Sequence, residues 1–269
     1  MSKAGTLKLY LFNIKIQIIN FMEFHVDFAL SILLTSINIL FYAFLWKSVY
    51  ADESAIAGIT WGQMIVYSVC SNLITNIFAI GIESKINDSV KTGNIAYLLS
   101  KPINLVGYWL SYDLGALLQQ LVSHLLPIMG LVAFIIVMKV DIQATGCLLF
   151  IVSVLMSYLI LWNISFLTGA VSFWYNELGT ISEFKNLIIL LLSGSFVPLW
   201  FFPEWIQKIS SFLPFQSIYQ IPLGILIGKY KAAESGLNML FQLFWVVLTY
   251  ILVLITYRKA RKKLVVQGG

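Results

Sequence analysis

The sequence predicts an all-α integral membrane protein with six transmembrane helices, an N-terminal cytoplasmic amphipathic helix and outer re-entrant helices between spans five and six. Three observations lead there. Of 269 residues, 59% are hydrophobic and only 11% charged, where a soluble domain carries about 25% charged residues. Six charge-free stretches reach or approach the roughly 20 apolar residues that a helix needs to cross a bilayer core. Lysine and arginine crowd beside those stretches, most densely in "RKARKK" (258–263). That is the pattern of membrane topology, not of a basic groove for nucleic acid. Residues 1–269 read as one transmembrane domain.

Residues 1–24 are too polar to span. Leu7, Leu11, Ile14, Ile18 and Met22 fall on one stripe at helical spacing, with Lys8, Lys15 and Glu23 away from it, so an interfacial amphipathic helix is expected. "NIKIQI" (13–18) alternates as a strand would, but a lone strand at a membrane surface leaves its backbone groups unpaired. No small-residue cleavage site follows a short apolar core, so no cleaved signal is expected. The spans are expected at about 28–46, 60–82, 114–138, 145–171, 186–202 and 236–257. With both termini cytoplasmic, five of the 17 basic side chains (Lys47, Lys139, Lys208, Lys229 and Lys231) lie outside and the remaining twelve inside. The inside excess orients the chain.

Between spans two and three lies the largest cytoplasmic segment, 83–109. It begins as a short helix with a polar face, Ile86 and Val90 lining the apolar one, with a break at Gly93-Asn94 and a stop at Lys101-Pro102. A helix of this kind, held between two spans, suits docking of a soluble partner. After span five, Pro198 and Pro203 remove backbone donors and break the helix. Trp205, Ile206, Ile209, Phe212 and Leu213 then recur at helical spacing, with Glu204, Lys208 and Ser211 between them. A short amphipathic helix at the outer leaflet follows, ended by Pro214, and 203–228 forms an outer re-entrant segment.

Ionisable chemistry within the membrane is sparse. Asp113 and His124 are eleven positions apart, about 16 Å along a helix, and Asp113 is expected at the cytoplasmic boundary within reach of water. Two histidines and two separated cysteines offer no metal site. "GILIGKY" (224–230) is one residue short of a phosphate loop and has Tyr230 where a serine or threonine is needed, so energy must come from a partner or a gradient. Polar residues within the spans (Asn72, Thr75, Asn163, Ser165, Thr168) suit interhelical hydrogen bonds more than a pathway lining. Aromatic residues such as Trp46, Trp109 and Phe173 suit an interfacial belt.

Two segments carry a resemblance. "GNIAYLLSKPINLVGYWL" (93–110) resembles a Gly-x-(Ile/Leu)-Ala…Leu-Leu-x-(Lys/Arg)-Pro stretch, and "SGSFVPLWFFPEWIQKISSFLPFQSIYQIPLGILIG" (193–228) a Gly-x-x-x-Pro-Leu-x-Phe-Phe-Pro-x-Trp…Leu-Pro-Phe signature. Both are found in permease subunits of type-2 ABC exporters, many of them bacterial. The resemblance implies a multi-pass plasma-membrane subunit that is not itself an enzyme. It would pair with a second permease, a heterodimer being favoured, and dock on two ATPase subunits that hold ATP and magnesium. Ile86, Asp88, Val90, Lys91 and Leu98 would form the coupling surface. Pro198, Phe202, Pro203, Trp205 and Pro214 would shape the outer gate. The substrate would be an amphiphile such as a drug, antibiotic, peptide or lipid. A carrier or channel without ATP is the alternative, and a membrane enzyme would need a His/Asp/Glu cluster at one interface.

Overall fold

A computed structural model describes residues 10–15, 25–51, 53–78, 80–101, 103–142, 144–175 and 178–267, predominantly as helix. The order is α1 (His25–Val49), β1 (Ala55–Ile56), β2 (Ile59–Thr60), α2 (Trp61–Ile77), α3 (Ile82–Lys91), α4 (Asn94–Ser100), α5 (Leu105–Ser123), α6 (Leu125–Val137), α7 (Ala144–Ala170), α8 (Gly179–Leu192), α9 (Glu204–Phe212), α10 (Gln220–Leu226) and α11 (Ala232–Gln267).

Helix α7 is the axis around which the others pack. It is 27 residues long, about 40 Å at 1.5 Å per residue. Its polar side chains are consumed by neighbours, as polar groups in an apolar surround require. Ser153 donates to Gln242 Oε1 of α11 at 2.7 Å, Ser157 lies 2.8 Å from the Ser217 carbonyl, and Asn163 donates to Thr249 Oγ1 at 3.0 Å. Helix α10 lies along the N-terminal half of α7. A Cβ on Gly146 would stand 3.3 Å from the Ile225 carbonyl oxygen. Helix α3 lies at the opposite end, where a Cβ on Gly169 would stand 3.0 Å from Glu83 Cα. The molecule thus has an α3 end and an α10 end.

At the α10 end, β1 and β2 form a hairpin whose turn residues Ala57 and Gly58 have φ of 52° and 76°, the left-handed pair that a two-residue hairpin needs. Lys229 Nζ donates to the Ala57 carbonyl at 2.6 Å. Thr60 closes the hairpin and caps α2. Its hydroxyl accepts from Gln63 N at 3.4 Å, and Gln63 Oε1 accepts from Thr60 N at 2.9 Å, a reciprocal capping box.

The helix expected at 186–202 runs over Gly179–Leu192 instead and stops at Ser193. Its 14 residues measure about 21 Å. The break therefore precedes Pro198 and Pro203. Gly194 has φ of 78°, and a Cβ there would meet Gln220 Oε1 at 2.5 Å and Tyr67 Oη at 2.9 Å. Close approach of α2 and α10 ends the helix, while Pro198 only starts the 3₁₀ turn Leu199–Phe201. The stretch expected at 114–138 begins earlier, at Leu105, and bends by 55° at His124. Pro127 explains the bend, because its ring clashes with the carbonyl four residues back, at Ser123, and it has no N–H to donate.

Among the described residues, three helical stretches are long and apolar enough to cross a membrane: Trp61–Lys91, Thr145–Phe173 and Ala232–Lys262, or four if α5 and α6 count as one bent span. Of the N-terminal stripe, only 10–15 is described and it is helical. Leu7, Ile18 and Met22 lie outside the described residues. Tyr10 Oη donates to the Asn104 carbonyl at 3.2 Å, which sets this stretch against the start of α5. The aromatic belt holds only in part. Trp46, Trp109 and Phe173 are buried, Trp46 donating to Ser68 Oγ at 2.7 Å and stacking on Phe201.

Candidate functional site

Helix α3 is held to the bundle on one face and open on the other. Ile82 and Ile86 are fully buried, with Ile86 Cδ1 3.2 Å from the position a Gly169 Cβ would take. Glycine at 169 is what lets α3 and α7 approach backbone to backbone. Two ion pairs flank this contact. Lys85 pairs with Asp113 of α5, and Lys185 of α8 pairs with Glu83. Asp113 Oδ2 also accepts from Trp162 Nε1 of α7 at 2.9 Å, and Lys85 Nζ sits 3.7 Å above the Tyr112 ring. One carboxylate therefore ties α3, α5 and α7 together.

Three positions change meaning on this geometry. Asp113 has 0% exposure, so the expectation of a water-reached boundary carboxylate is corrected. Burial is tolerated because an ammonium and an indole N–H satisfy it. Ile86 is likewise taken off the exposed surface and serves as the anchor of α3, because the apolar face of an amphipathic helix turns to the bundle. His124 is buried at the α5–α6 bend, its Nδ1 2.9 Å from the Gln120 carbonyl.

Outward from α3 and α4 face Ser84, Asp88, Lys91 and Tyr97, while Val90 and Leu98 are half-buried against the core. Tyr97 is 61% exposed, with Lys101 Nζ 4.3 Å from its ring centre. Gly93, at φ 72°, turns the chain between the two helices.

Beside α3 opens a cavity of about 450 Å³ bounded by α1, α2, α7, α8 and the 195–196 segment. Its polar lining includes Ser71, Asn72, Thr75, Ser165, Lys185 and Asn186. Tyr42, Phe78, Leu161, Ile189 and Phe196 supply apolar lining. The polar residues of the spans therefore divide. Asn163 packs between helices, whereas Asn72, Thr75 and Ser165 face the cavity.

At the α10 end, Gln220 is the junction. Its Oε1 accepts from Leu199 N at 3.0 Å and lies 3.1 Å from Tyr67 Oη, which donates to the Gly194 carbonyl at 2.7 Å. Burial pushes the nearby Tyr230 phenol up to about 12, so it stays neutral at physiological pH. Pro198 and Pro214 are buried, and Phe202 is half-buried. Pro203 and Trp205 are exposed at the start of α9, whose Trp205, Ile209 and Phe212 present an unburied apolar edge. Ser217 sits level with Ser157, midway along α7, and Ile225 level with Gly146. The chain thus runs to the middle of α7 and returns toward its N-terminal end.

Sequence reasoning missed Glu83, Lys85, Lys185, Gly169 and Gln220 as site residues. Charges counted for topology carried no sign of pairing, since Glu83 and Lys185 are 102 positions apart.

No match is found among curated proteins or among solved structures. Residues 36–268, by contrast, match the family described as ABC-2 family transporter protein. That span takes in the cavity, the α3–α4 segment and the α9–α10 segment, and the chain belongs to the ABC-2 transporter family.

Proposed function

We propose that the chain is the permease subunit of an ATP-driven exporter in a bacterial plasma membrane. It would cross the bilayer six times with both termini cytoplasmic and pair with a second permease, favoured to be a different chain. Two separate ATPase subunits would hold ATP and magnesium beneath the α3 end. The observation that carries this reading is the construction of α3, bolted to the bundle by Ile86, Gly169 and two ion pairs, with Asp88, Lys91 and Tyr97 left facing out. A surface loop has no need of such anchoring, whereas a helix that transmits a push does. Displacement of α3 would reach α5, α7 and α8 directly. Pro198, Phe202, Pro203, Trp205 and Pro214 would shape the outer gate, and an amphiphile would use the cavity, whose walls are half polar and half apolar. A carrier coupled to protons gains no support from Asp113, which is committed to Lys85 and Trp162.

The test is purification from native membranes followed by ATPase assay. An ATPase subunit is expected to co-isolate with the chain, and Asp88→Lys combined with Lys91→Glu is expected to remove it while membrane insertion persists. Isolation of the wild-type chain without any ATPase would overturn the proposal.

A further inference from the structure

Lys185 is the one charged side chain on the cavity wall among the described residues, and its counter-ion stands on α3. Its ammonium pairs with Glu83 and donates to Ser165 Oγ at 3.3 Å, and both members of the pair keep only 13% side-chain exposure. An ammonium in a weakly hydrated cavity needs one anion close by, but nothing requires that anion to be Glu83. A ligand bringing its own anionic oxygen replaces one charge-assisted hydrogen bond with another, and Glu83, 13% exposed where it stands, has its charge met by water only if α3 shifts outward.

We infer that the cavity binds amphiphiles with an anionic, phosphate-like headgroup, which takes Lys185 from Glu83 while the tail lies along Tyr42, Phe78, Leu161 and Phe196. Three observations converge on it. Lys185 is the single cation among lining residues that include the neutral polar side chains Ser165, Asn72 and Asn186. The lining also holds apolar side chains, Leu161 one turn from Ser165 and Ile189 one turn from Lys185, and about 450 Å³ falls in the range of small-molecule sites. The competing carboxylate belongs to the helix that carries the exposed Asp88 and Lys91, so occupancy of the cavity loosens one of the two pairs that fix α3. The inference rests on the permease reading and names the substrate class of that cavity.

The experiment uses the full chain in dodecyl maltoside, with binding followed by calorimetry for dodecyl phosphate, dodecyl trimethylammonium and inorganic phosphate. Dodecyl phosphate is expected to bind at least about tenfold more tightly than the cationic amphiphile, since a charge-assisted contact is roughly twice a neutral one. Inorganic phosphate, lacking a tail, should bind far more weakly. Lys185→Gln should lose about tenfold, Lys185→Arg should retain binding, and Glu83→Gln should bind more tightly because the competitor is gone. The last sign is decisive, because a purely structural pair predicts that Glu83→Gln weakens binding as Lys185→Gln does. That result, or equal binding of the anionic and cationic amphiphiles, overturns the inference. Inorganic phosphate binding as tightly as dodecyl phosphate overturns the amphiphile assignment. If Lys185→Gln does not fold, Glu83→Gln and Lys185→Arg still decide it. Co-isolation of an ATPase with the wild-type chain tests the permease reading separately, so the two can fail independently.

Discussion

Asp113 is the residue on which the α3 end is organised. A carboxylate with no solvent exposure is retained only if its charge is met, and here an ammonium and an indole N–H meet it. Removing the ammonium leaves the charge stranded. Lys85→Met is therefore expected to cost about 3–5 kcal/mol, the range for breaking one side of a buried pair, read as a fall in apparent melting temperature of the detergent-solubilised chain. Lys85→Met with Asp113→Leu should recover most of that loss, because two apolar side chains leave no stranded charge. Equal melting temperatures for the single and double variants would show that the pair does not carry this weight. The sequence brought Asp113 to notice as an isolated carboxylate, but its partner is 28 positions away across a helix break, and no spacing rule joins such positions.

At the scale of elements, α3 and α10 matter most, and both are positioned by glycines. Gly169 admits the α3 backbone. Valine there would put its Cβ 3.0 Å from Glu83 Cα, a backbone atom that cannot swing away. Gly169→Val is expected to lower stability by about 1–3 kcal/mol, the usual cost of overpacking, and to weaken ATP-dependent transport more than membrane insertion. A variant with normal transport in vesicles would count against α3 as the transmitting element. The end of α8 teaches a related lesson. Prolines are conspicuous in sequence, so Pro198 and Pro203 drew the helix boundary to themselves. The chain actually turns at Gly194, where Tyr67 and Gln220 leave no room for a side chain. Pro127 did the converse, bending an apolar stretch that a count of charge-free residues takes as one continuous span.

On the scale of the whole molecule, the two ends of α7 present different surfaces. The α3 end presents charge and an exposed tyrosine, and the α10 end presents the hairpin and the segment that runs to the middle of α7 and back. If the α3 end is cytoplasmic, a cysteine at Lys208 reacts with an impermeant thiol reagent on intact cells and one at Lys91 reacts only after permeabilisation. The reverse pattern would invert the orientation. Both sites are exposed, so accessibility within the fold does not confound the comparison.

Membrane class and helical content were legible in the sequence, because the cost of placing polar groups in lipid acts on each segment separately. So was the amphipathic character of α3 and α9, which depends on spacing along one helix. The ion pairs Lys85–Asp113 and Glu83–Lys185, the contact at Gly169 and the Gln220 junction were not, and only the tertiary structure decided them. Each joins segments distant in the chain, and its energy depends on which faces meet, a quantity that composition and periodicity do not contain.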